Sequence, residues 1–212
     1  MRTIIFSDLH GNLPALEDLR DKFPTGVNWL SLGDNVNYGP WSDQCVQFLS
    51  EELNCQSLLG NHEDYFLSGY YPGENKVAKA FFDVCYNEFT ETARISSFSE
   101  TLSLGNYTCV HTLDDKYIFE DTEIELQNHS LIGHSHKQFR VKRGKYSLIN
   151  PGSLGQDRTF INRGNYAIFD HELEELQLNS FTYNIEKVIN EMIQRKYPTI
   201  CVDYYKNKER LS

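Results

Sequence analysis

The sequence lacks the features that would place the protein in a membrane, on nucleic acid or among disulfide-stabilised folds. No apolar run approaches the ~20 residues of a membrane span, and the apolar stretch before Asp8 is too short for a signal peptide. The five cysteines are an odd number without a close Cys-x-x-Cys pair, which favours reduced thiols. The net charge of −10 argues against a general nucleic-acid or anionic-membrane surface. We therefore expect a cytoplasmic protein that has no general nucleic-acid surface and does not bind membranes.

What the sequence has instead is a series of short apolar strands that end in Asp, Asn or His. The first stretch, Arg2 to Asn12, reads RTIIFSDLHGN and predicts a buried strand over Thr3 to Phe6. A polar loop with Asp8 and His10 follows, at the strand end where open α/β sheets collect functional groups. If this loop is extended, both side chains leave the same face and can reach one ion.

The same arrangement recurs at four later strand ends. They are Leu30–Leu32 before Gly33-Asp34-Asn35, Ser57–Leu59 before Gly60-Asn61-His62-Glu63, Thr108–Val110 before His111-Thr112, and Leu131–Ile132 before Gly133-His134-Ser135-His136. A single buried His or Asp is more often a satisfied hydrogen-bonding residue than a ligand. Because five strand ends share this chemistry, the joint pattern predicts a metal site.

The order of the predicted elements indicates an α/β fold class. The first half alternates strands with helical periodicity at 13–23 and 42–52, with Ser42 as the N-cap of the second helix. The second half contains two hairpins, two further antiparallel strands at 165–169 and 176–183, and a last helix near 185–193. We expect a four-layer α/β/β/α sandwich of two mixed sheets flanked by helices, in a single domain spanning residues 1–212.

Two segments fit this plan less directly. Residues 75–98 follow helical spacing and interrupt the alternation of strands and helices, as either a core element or a lid that shapes the substrate site. The C-terminal tail, residues 197–212, is polar and rich in tyrosine, and the sequence predicts no role for it.

Seven side chains are candidate metal ligands: Asp8, His10, Asp34, Asn61, His111, His134 and His136. Seven donors exceed the roughly four to six that one transition-metal ion takes, and they suit two ions that share a carboxylate. Mixed imidazole and carboxylate ligation favours transition metals over calcium. We expect two divalent ions, with Mn²⁺ first and Fe, Ni, Co, Zn or Mg open. Such a pair generates a bridging hydroxide near neutral pH and stabilises the charge on a phosphoryl group.

The strings SDLHGN, GDN, GNHE, VHT and GHSH, in this order, resemble the motifs of the calcineurin-like metallophosphoesterases. The string NPGSLGQ at 150–156 resembles their small bacterial and archaeal phosphodiesterase branch. The resemblance implies the same sandwich fold. It also implies two ion sites that share Asp34 as a bridge: Asp8, His10 and His136 complete the first set, and Asn61, His111 and His134 complete the second.

Four further residues are candidates for contact with the substrate. The resemblance assigns His62 as the general acid that protonates the leaving oxygen. Asn12 either contacts the phosphate or caps the first helix, and Arg158 either faces the substrate or pairs with an acid. Tyr38 occupies the position of the phosphate-binding arginine in the GDxxxRG string of serine/threonine phosphatases and symmetrical dinucleoside tetraphosphatases.

A tyrosine cannot supply the charged, bidentate fork that suits a monoester phosphate. We therefore expect a two-metal phosphodiesterase that acts on a phosphate-ester small molecule or a nucleotide by attack of the bridging hydroxide. The alternatives are a phosphomonoesterase, a nucleotide pyrophosphohydrolase, or a non-catalytic scaffold similar to the retromer subunit that shares this fold. Asp114 and Asp115 make the rim of the site acidic, and the sequence does not predict the oligomeric state.

Overall fold

A computed structural model describes residues 1–212, which form ten strands and seven helices. In chain order these are β1 (Arg2–Phe6), α1 (Leu13–Lys22), β2 (Val27–Ser31), α2 (Ser42–Glu51), β3 (Gln56–Ser57), α3 (Asn61–Ser68), α4 (Lys76–Glu88), α5 (Thr92–Ile95), β4 (Leu102–Leu104), β5 (Tyr107–Cys109), β6 (His129–Leu131), β7 (Gln138–Arg143), β8 (Tyr146–Pro151), β9 (Arg163–Asp170), β10 (Glu175–Thr182), α6 (Glu186–Gln194) and α7 (Thr199–Lys206). No helix is long and apolar enough to cross a membrane.

The strands form two five-stranded mixed sheets, as predicted. The first sheet has the order β10-β9-β1-β2-β3, in which β1, β2 and β3 are parallel and β9 and β10 are antiparallel. The second sheet has the order β4-β5-β6-β8-β7, with a parallel centre of β5, β6 and β8 and antiparallel strands on both edges. The carboxyl ends of the parallel strands in each sheet therefore lie at one edge, where the polar motifs follow them.

Side-chain alternation along the strands divides the core into layers. In β1, Ile5 packs between the two sheets, whereas Ile4 and Phe6 face the cluster that the helices cover. In the second sheet, Leu131 and Ile149 pack between the sheets against Ile5 and its neighbours. Because successive residues of a strand point to opposite faces, the apolar strands that the sequence shows are buried on both sides.

Helices pack on the outer face of the first sheet. Helix α1 begins after Asn12, whose side-chain oxygen accepts a hydrogen bond from the N–H of Ala15 at 3.2 Å, and Leu16 and Leu19 are its buried face. On the outer face of the second sheet, Ile118 and Leu126 from the irregular segment between β5 and β6 pack against buried strand residues. Both sheets are thus covered, and the predicted fold class is confirmed.

Two local predictions were wrong, and one helix was missed. Ser42 is the first residue of α2 rather than its N-cap, and its hydroxyl accepts the backbone N–H of Asn37 at 3.0 Å. Helix α3 was not predicted, because its eight residues begin inside a polar motif and are too few to show periodicity. The single helical segment predicted over 75–98 is two helices, α4 and α5, separated at Phe89–Glu91, where the backbone of Phe89 is extended.

The C-terminal tail forms helix α7, which packs against α4. Cys201, Val202 and Tyr205 are buried in the same core as the helices, and the ring of Tyr205 meets the ring of Phe81 edge-on at 5.8 Å. Polar composition concealed this helix, because only one of its faces is apolar. The tail is therefore part of the core.

Candidate metal centre

Most of the predicted ligands lie on strained backbone at the strand ends. Asp8, His10, Asp34, His134 and His136 have φ angles of 53°, 51°, 56°, 67° and 59°, in the left-handed region that residues other than glycine rarely adopt. The prediction of an extended chain between Asp8 and His10 was therefore wrong. The two side chains still converge, because both Asp8 and His10 belong to one group of closely spaced ligand atoms. Strain of this kind persists where the surrounding structure holds a functional arrangement.

The predicted ligands come together in three overlapping groups. Asp8, His10 and His136 form one group, His10, Asp34 and His62 the second, and Asp34, His111 and His134 the third. Within each group the potential ligand atoms lie within 4.8 Å of one another. Asp34 belongs to two of the groups, as a carboxylate shared by two ions would.

Three imidazoles are oriented by backbone carbonyl groups. The Nδ1 atoms of His10, His111 and His136 lie 3.2, 2.7 and 2.7 Å from the carbonyl oxygens of Val36, Leu32 and Gln156. A carbonyl oxygen only accepts, so each Nδ1 carries a proton and directs Nε2 towards the centre of the cluster. Such outer contacts are the usual way in which metal-binding histidines are fixed.

The inward-facing atoms are mutually repulsive without a cation. Nε2 of His10 lies 3.1 Å from Nε2 of His136, and Nε2 of His136 lies 3.3 Å from Oδ1 of Asp8. Two neutral imidazoles of this tautomer present lone pairs to each other. Oδ1 of Asp8 and Nδ1 of His134 are buried and have no hydrogen-bond partner. Because buried polar atoms are normally paired, these side chains fit a divalent ion.

The third group repeats this chemistry around Asp34. Nε2 of His111 lies 3.2 Å from Oδ2 of Asp34 and 3.2 Å from Oδ1 of Asn61. The other oxygen of Asp34 accepts the backbone N–H of His62 at 2.9 Å, at the beginning of α3. The N–H groups of a first helical turn lack intrahelical partners, so they hold the carboxylate in place.

The protonation states match a set of ligands. Burial lowers the pKa of His10 to about 3 and that of His134 to about 4, so both rings are neutral and have a free lone pair. Burial alone would lower the pKa of His111, but the charge of Asp34 raises it to about 10. A proton on His111 thus occupies a position where positive charge is favoured, and metal binding would displace it.

Burial raises the pKa of Asp8 to about 7, with a further contribution from the charge of Asp34. Burial also opposes ionisation of Asp34, yet the charge of His111 and a hydrogen bond from it hold the pKa of Asp34 well below its usual range. The two carboxylates therefore compete for one positive neighbour. Cations bound between them would stabilise both in the ionised form.

Glu63 is a functional residue that the sequence reasoning missed. Its buried carboxylate accepts the backbone N–H groups of Asp34, Asn35 and Gly60 at 2.9, 2.6 and 2.9 Å. It thereby ties the Asp34 loop to the beginning of α3. The spacing of Gly60 and Glu63, three residues apart at a helix start, resembles a capping box and could have indicated this role.

Gly60 is required by the close approach of the same two loops. A Cβ atom at this position would lie 2.2 Å from Oδ1 of Asp34 and 2.5 Å from its backbone nitrogen. Any side chain would displace the carboxylate that two of the groups share. The lack of space for a side chain therefore explains why the GNHE string begins with glycine.

His62 lies beside the cluster with its ring held by polar and aromatic neighbours. Its Nδ1 lies 2.9 Å from the side-chain nitrogen of Asn37, a residue that the sequence analysis did not single out. The ring of His10 meets the ring of His62 edge-on with centroids 4.9 Å apart. The structure thus places the predicted general acid next to the candidate ligands.

Asn12 is placed as a helix cap. Its oxygen caps α1, and its side-chain nitrogen donates to the carbonyl of Gly155 and the hydroxyl of Tyr183, both at 2.9 Å. The side chain is fully buried. Contact with a phosphate would require these hydrogen bonds to break, so the geometry favours the capping alternative.

Arg158 is exposed and forms no ion pair. The neighbouring Asp157 pairs instead with Arg163, whose Nη2 lies 2.9 Å from Oδ2 of Asp157. Burial and then the charge of Arg158 lower the pKa of the His136 imidazole, so the guanidinium acts on the site electrostatically. Of the two alternatives for Arg158, pairing with an acid does not occur.

Tyr38 is packed in the wall of the site. Its ring lies 4.8 Å from that of Phe81, 4.9 Å from His10 and 5.4 Å from His62, measured between centroids. Burial raises the pKa of its phenol, which therefore stays neutral. On the other side of the site, Tyr117 is 56% exposed and stacks on His134 at 4.1 Å. The exposed Asp115 lines the same pocket as Asn61 and His111, whereas the exposed Asp114 pairs with Lys116 at 3.4 Å.

Comparisons with known proteins show the family and the fold. The family model for calcineurin-like phosphoesterases matches residues 1–155. An uncharacterised protein of Methanocaldococcus jannaschii is 28% identical over 227 aligned positions, which cover 92% of this chain and 93% of that protein.

Two solved structures share the fold over almost the whole chain. A metallophosphoesterase from Sphaerobacter thermophilus has a TM-score of 0.78 at 23% identity, covering 97% of this chain and 99% of that one. A hypothetical protein from Pyrococcus horikoshii OT3 has a TM-score of 0.76 at 14% identity, covering 96% and 97%.

Proposed function

This chain belongs to the calcineurin-like phosphoesterase family, and we propose that it is a phosphodiesterase that uses two divalent metal ions. The substrate is a phosphate-ester small molecule or a nucleotide. Mn²⁺ is the ion that we propose first, because mixed imidazole and carboxylate ligands suit it and the transition metals near it.

One observation carries the proposal. The Nε2 atoms of His10 and His136 face each other at 3.1 Å while both Nδ1 atoms donate to carbonyl groups. This arrangement is unfavourable unless a cation lies among the nitrogen and carboxylate atoms. Asp8, His10, Asp34 and His136 would hold one ion, and Asp34, Asn61, His111 and His134 would hold the other.

Bound there, the ions would supply positive charge that activates a water molecule and stabilises the phosphoryl oxygens. In the hydrolysis, the water oxygen forms a bond to phosphorus and the bond from phosphorus to the leaving oxygen breaks. His62 would act on the leaving oxygen through a ring N–H group, and the proton that the water gives up balances the one that the leaving oxygen takes. Glu63 and the N-terminus of α3 hold Asp34 by hydrogen bonds. Asp34 would thereby keep the two proposed ion sites at a fixed distance from each other.

The preference for a diester rests on the charges around the phosphate. Tyr38 presents a neutral ring where a guanidinium would favour a monoester dianion. Arg158 is the unpaired cation nearby, and we propose that it contacts the substrate. Asp115, which lines the same pocket as Asn61 and His111, disfavours a second negative charge, so a diester monoanion suits the site better than a monoester dianion.

The test compares two chromogenic substrates under one metal. We expect bis(4-nitrophenyl) phosphate to be hydrolysed with a higher kcat/KM than 4-nitrophenyl phosphate by the Mn²⁺-loaded protein. A preference for the monoester would replace the diesterase by a monoesterase and leave the two-metal site standing. A metal-loaded protein without activity on either ester, or on a nucleoside diphosphate, would favour a binding scaffold.

A further inference from the structure

Asn37 and His62 form a buried pair beside the candidate metal centre. The side-chain nitrogen of Asn37 lies 2.9 Å from Nδ1 of His62, and both residues are buried. Asn37 follows β2 and has a φ angle of 72°, a conformation that asparagine adopts more readily than most residues. Its backbone N–H donates to the hydroxyl of Ser42, so hydrogen bonds hold both the backbone and the side chain of Asn37.

The orientation of the Asn37 amide is decided by Tyr38. The backbone N–H of Tyr38 lies 2.8 Å from Oδ1 of Asn37. A backbone N–H can only donate, so the atom that faces it is the amide oxygen, and the NH₂ group faces His62. In the opposite orientation, the NH₂ group of Asn37 would face the N–H of Tyr38, and two donors would be in contact. Nδ1 of His62 therefore accepts a hydrogen bond through its lone pair.

The tautomer of His62 follows from this contact. A neutral imidazole carries one proton, so the proton of His62 lies on Nε2. His10, His111 and His136 have the opposite tautomer, because their Nδ1 atoms donate to carbonyl oxygens. Although His62 shares a cluster with His10 and Asp34, it presents an N–H group at Nε2, whereas Nε2 is the atom through which the other three would hold a metal ion.

We propose that Asn37 is a positioning residue that keeps the proton of His62 on Nε2. This assignment deepens the proposed function and rests on it for the kinetic consequence. The N–H group cannot ligate a metal ion, so Asn37 keeps His62 out of the ligand set. It also holds a hydrogen-bond donor ready for a phosphoryl or leaving oxygen of the ester, where a preorganised donor stabilises developing charge.

The surrounding rings maintain the orientation that the proposal needs. The ring of His62 contacts those of His10, Tyr38 and Tyr65, with centroids 4.9, 5.4 and 5.4 Å apart. If the His62 ring were turned over, a C–H group would face the Asn37 amide at a distance that suits only a hydrogen bond. The amide and the aromatic neighbours thus select one ring orientation together.

The primary test reads the tautomer directly. Nitrogen-15 NMR of the zinc-loaded protein, labelled in histidine, distinguishes protonated from unprotonated ring nitrogens at mildly alkaline pH, where imidazoles are neutral. The His62 signals are identified by their absence from His62→Ala. We expect an unprotonated Nδ1 and a protonated Nε2 in the wild-type protein.

Two variants of Asn37 separate positioning from folding. Asn37→Asp keeps the shape and the acceptor for Tyr38 N–H but replaces the donor by a carboxylate, so Nδ1 of His62 should become protonated. Asn37→Gly tolerates the positive φ angle and removes the amide. It should lower kcat about 10- to 100-fold, the usual effect of removing a side chain that orients a histidine of a metal site. Zinc content should be unchanged and KM should change little. Asn87→Asp on the exposed face of α4 is the matched charge control and should behave like the wild type.

A wild-type His62 protonated on Nδ1, or an Asn37→Asp protein with an unchanged Nδ1 signal, would overturn the assignment. So would an Asn37→Gly protein with normal kcat. The proposed function fails separately. If no ester is hydrolysed under any metal while the NMR pattern is as expected, the tautomer assignment stands and the phosphodiesterase proposal does not.

Discussion

Single hydrogen bonds distinguish the histidines that we propose as metal ligands from the histidine that we propose to contact the substrate. His111 donates through Nδ1 to a carbonyl, whereas His62 accepts through Nδ1 from an amide. His62→Ala should therefore retain metal and lose about 10²-fold or more in kcat, the contribution of a positioned proton or hydrogen-bond donor. Metal content by elemental analysis and kcat on bis(4-nitrophenyl) phosphate measure the two effects.

His111→Ala is the comparison, because it removes a proposed ligand of the second ion and should lower metal content and activity together. Loss of metal from His62→Ala to the same extent would show that His62 is itself a ligand.

The identity of residue 38 should influence the choice between esters. Tyr38 packs between the rings of Phe81 and His10, close to the site but without charge. Tyr38→Arg adds a guanidinium that favours a dianion, so the ratio of monoester to diester kcat/KM should rise. One ion pair with phosphate in a partly buried site suggests a shift of roughly tenfold.

Tyr38→Phe keeps the ring and the packing and should leave the ratio near the wild-type value. If Tyr38→Arg and Tyr38→Phe shift the ratio equally, packing rather than charge governs the preference.

At the scale of elements, the connection between β8 and β9 positions one edge of the site. Ser153 Oγ donates to the carbonyl of Asp8 at 2.7 Å, and the carbonyl of Gln156 orients His136. Asp157 anchors this connection, because its buried carboxylate accepts the N–H groups of Thr159 and Phe160 and pairs with Arg163.

Asp157→Ala should therefore destabilise the protein by about 3 kcal/mol, because it leaves Arg163 and two backbone donors without their partner. Urea denaturation measures the free energy of unfolding. Asp21→Ala on the exposed end of α1 is the control and should change it by less than about 0.5 kcal/mol. Equal effects of the two substitutions would mean that the anchor does not carry this stability.

For the whole molecule, the candidate ligands connect two sheets. Asp8, His10, Asp34 and Asn61 follow strands of the first sheet, and His111, His134 and His136 follow strands of the second. An ion bound between them would stabilise the folded state by about 2.7 kcal/mol at a free concentration of 100 times Kd. For a chain of this length the corresponding rise in Tm is roughly 5–10 °C.

Thermal unfolding with Mn²⁺ and after treatment with chelator measures this rise. Asp34→Asn should reduce it more than Asp8→Asn does, because Asp34 is proposed to serve both ions. A rise that is the same in Asp34→Asn as in the wild type would remove Asp34 from the bridging position.

The sequence by itself determined the layout of strands and the chemistry at their ends. Short apolar runs that end in Asp, Asn or His predicted the parallel strands, and the change from helical to alternating periodicity predicted the antiparallel half. Six of the seven candidate ligands fall in the three groups, and Oδ1 of the seventh, Asn61, lies 3.2 Å from Nε2 of His111. These features are local, because period and residue type along one segment reflect the face that the segment buries.

The tertiary structure decided what depends on residues distant in sequence. The positive φ angles of Asp8 and His10 could not be read from the motif, because packing between loops imposes them. Glu63 acquires its role only through the loop that carries Asp34, 29 residues away. The side on which each histidine carries its proton is likewise set by its contacts: His62 differs from His111 because an amide, rather than a carbonyl, faces its Nδ1 in the folded chain.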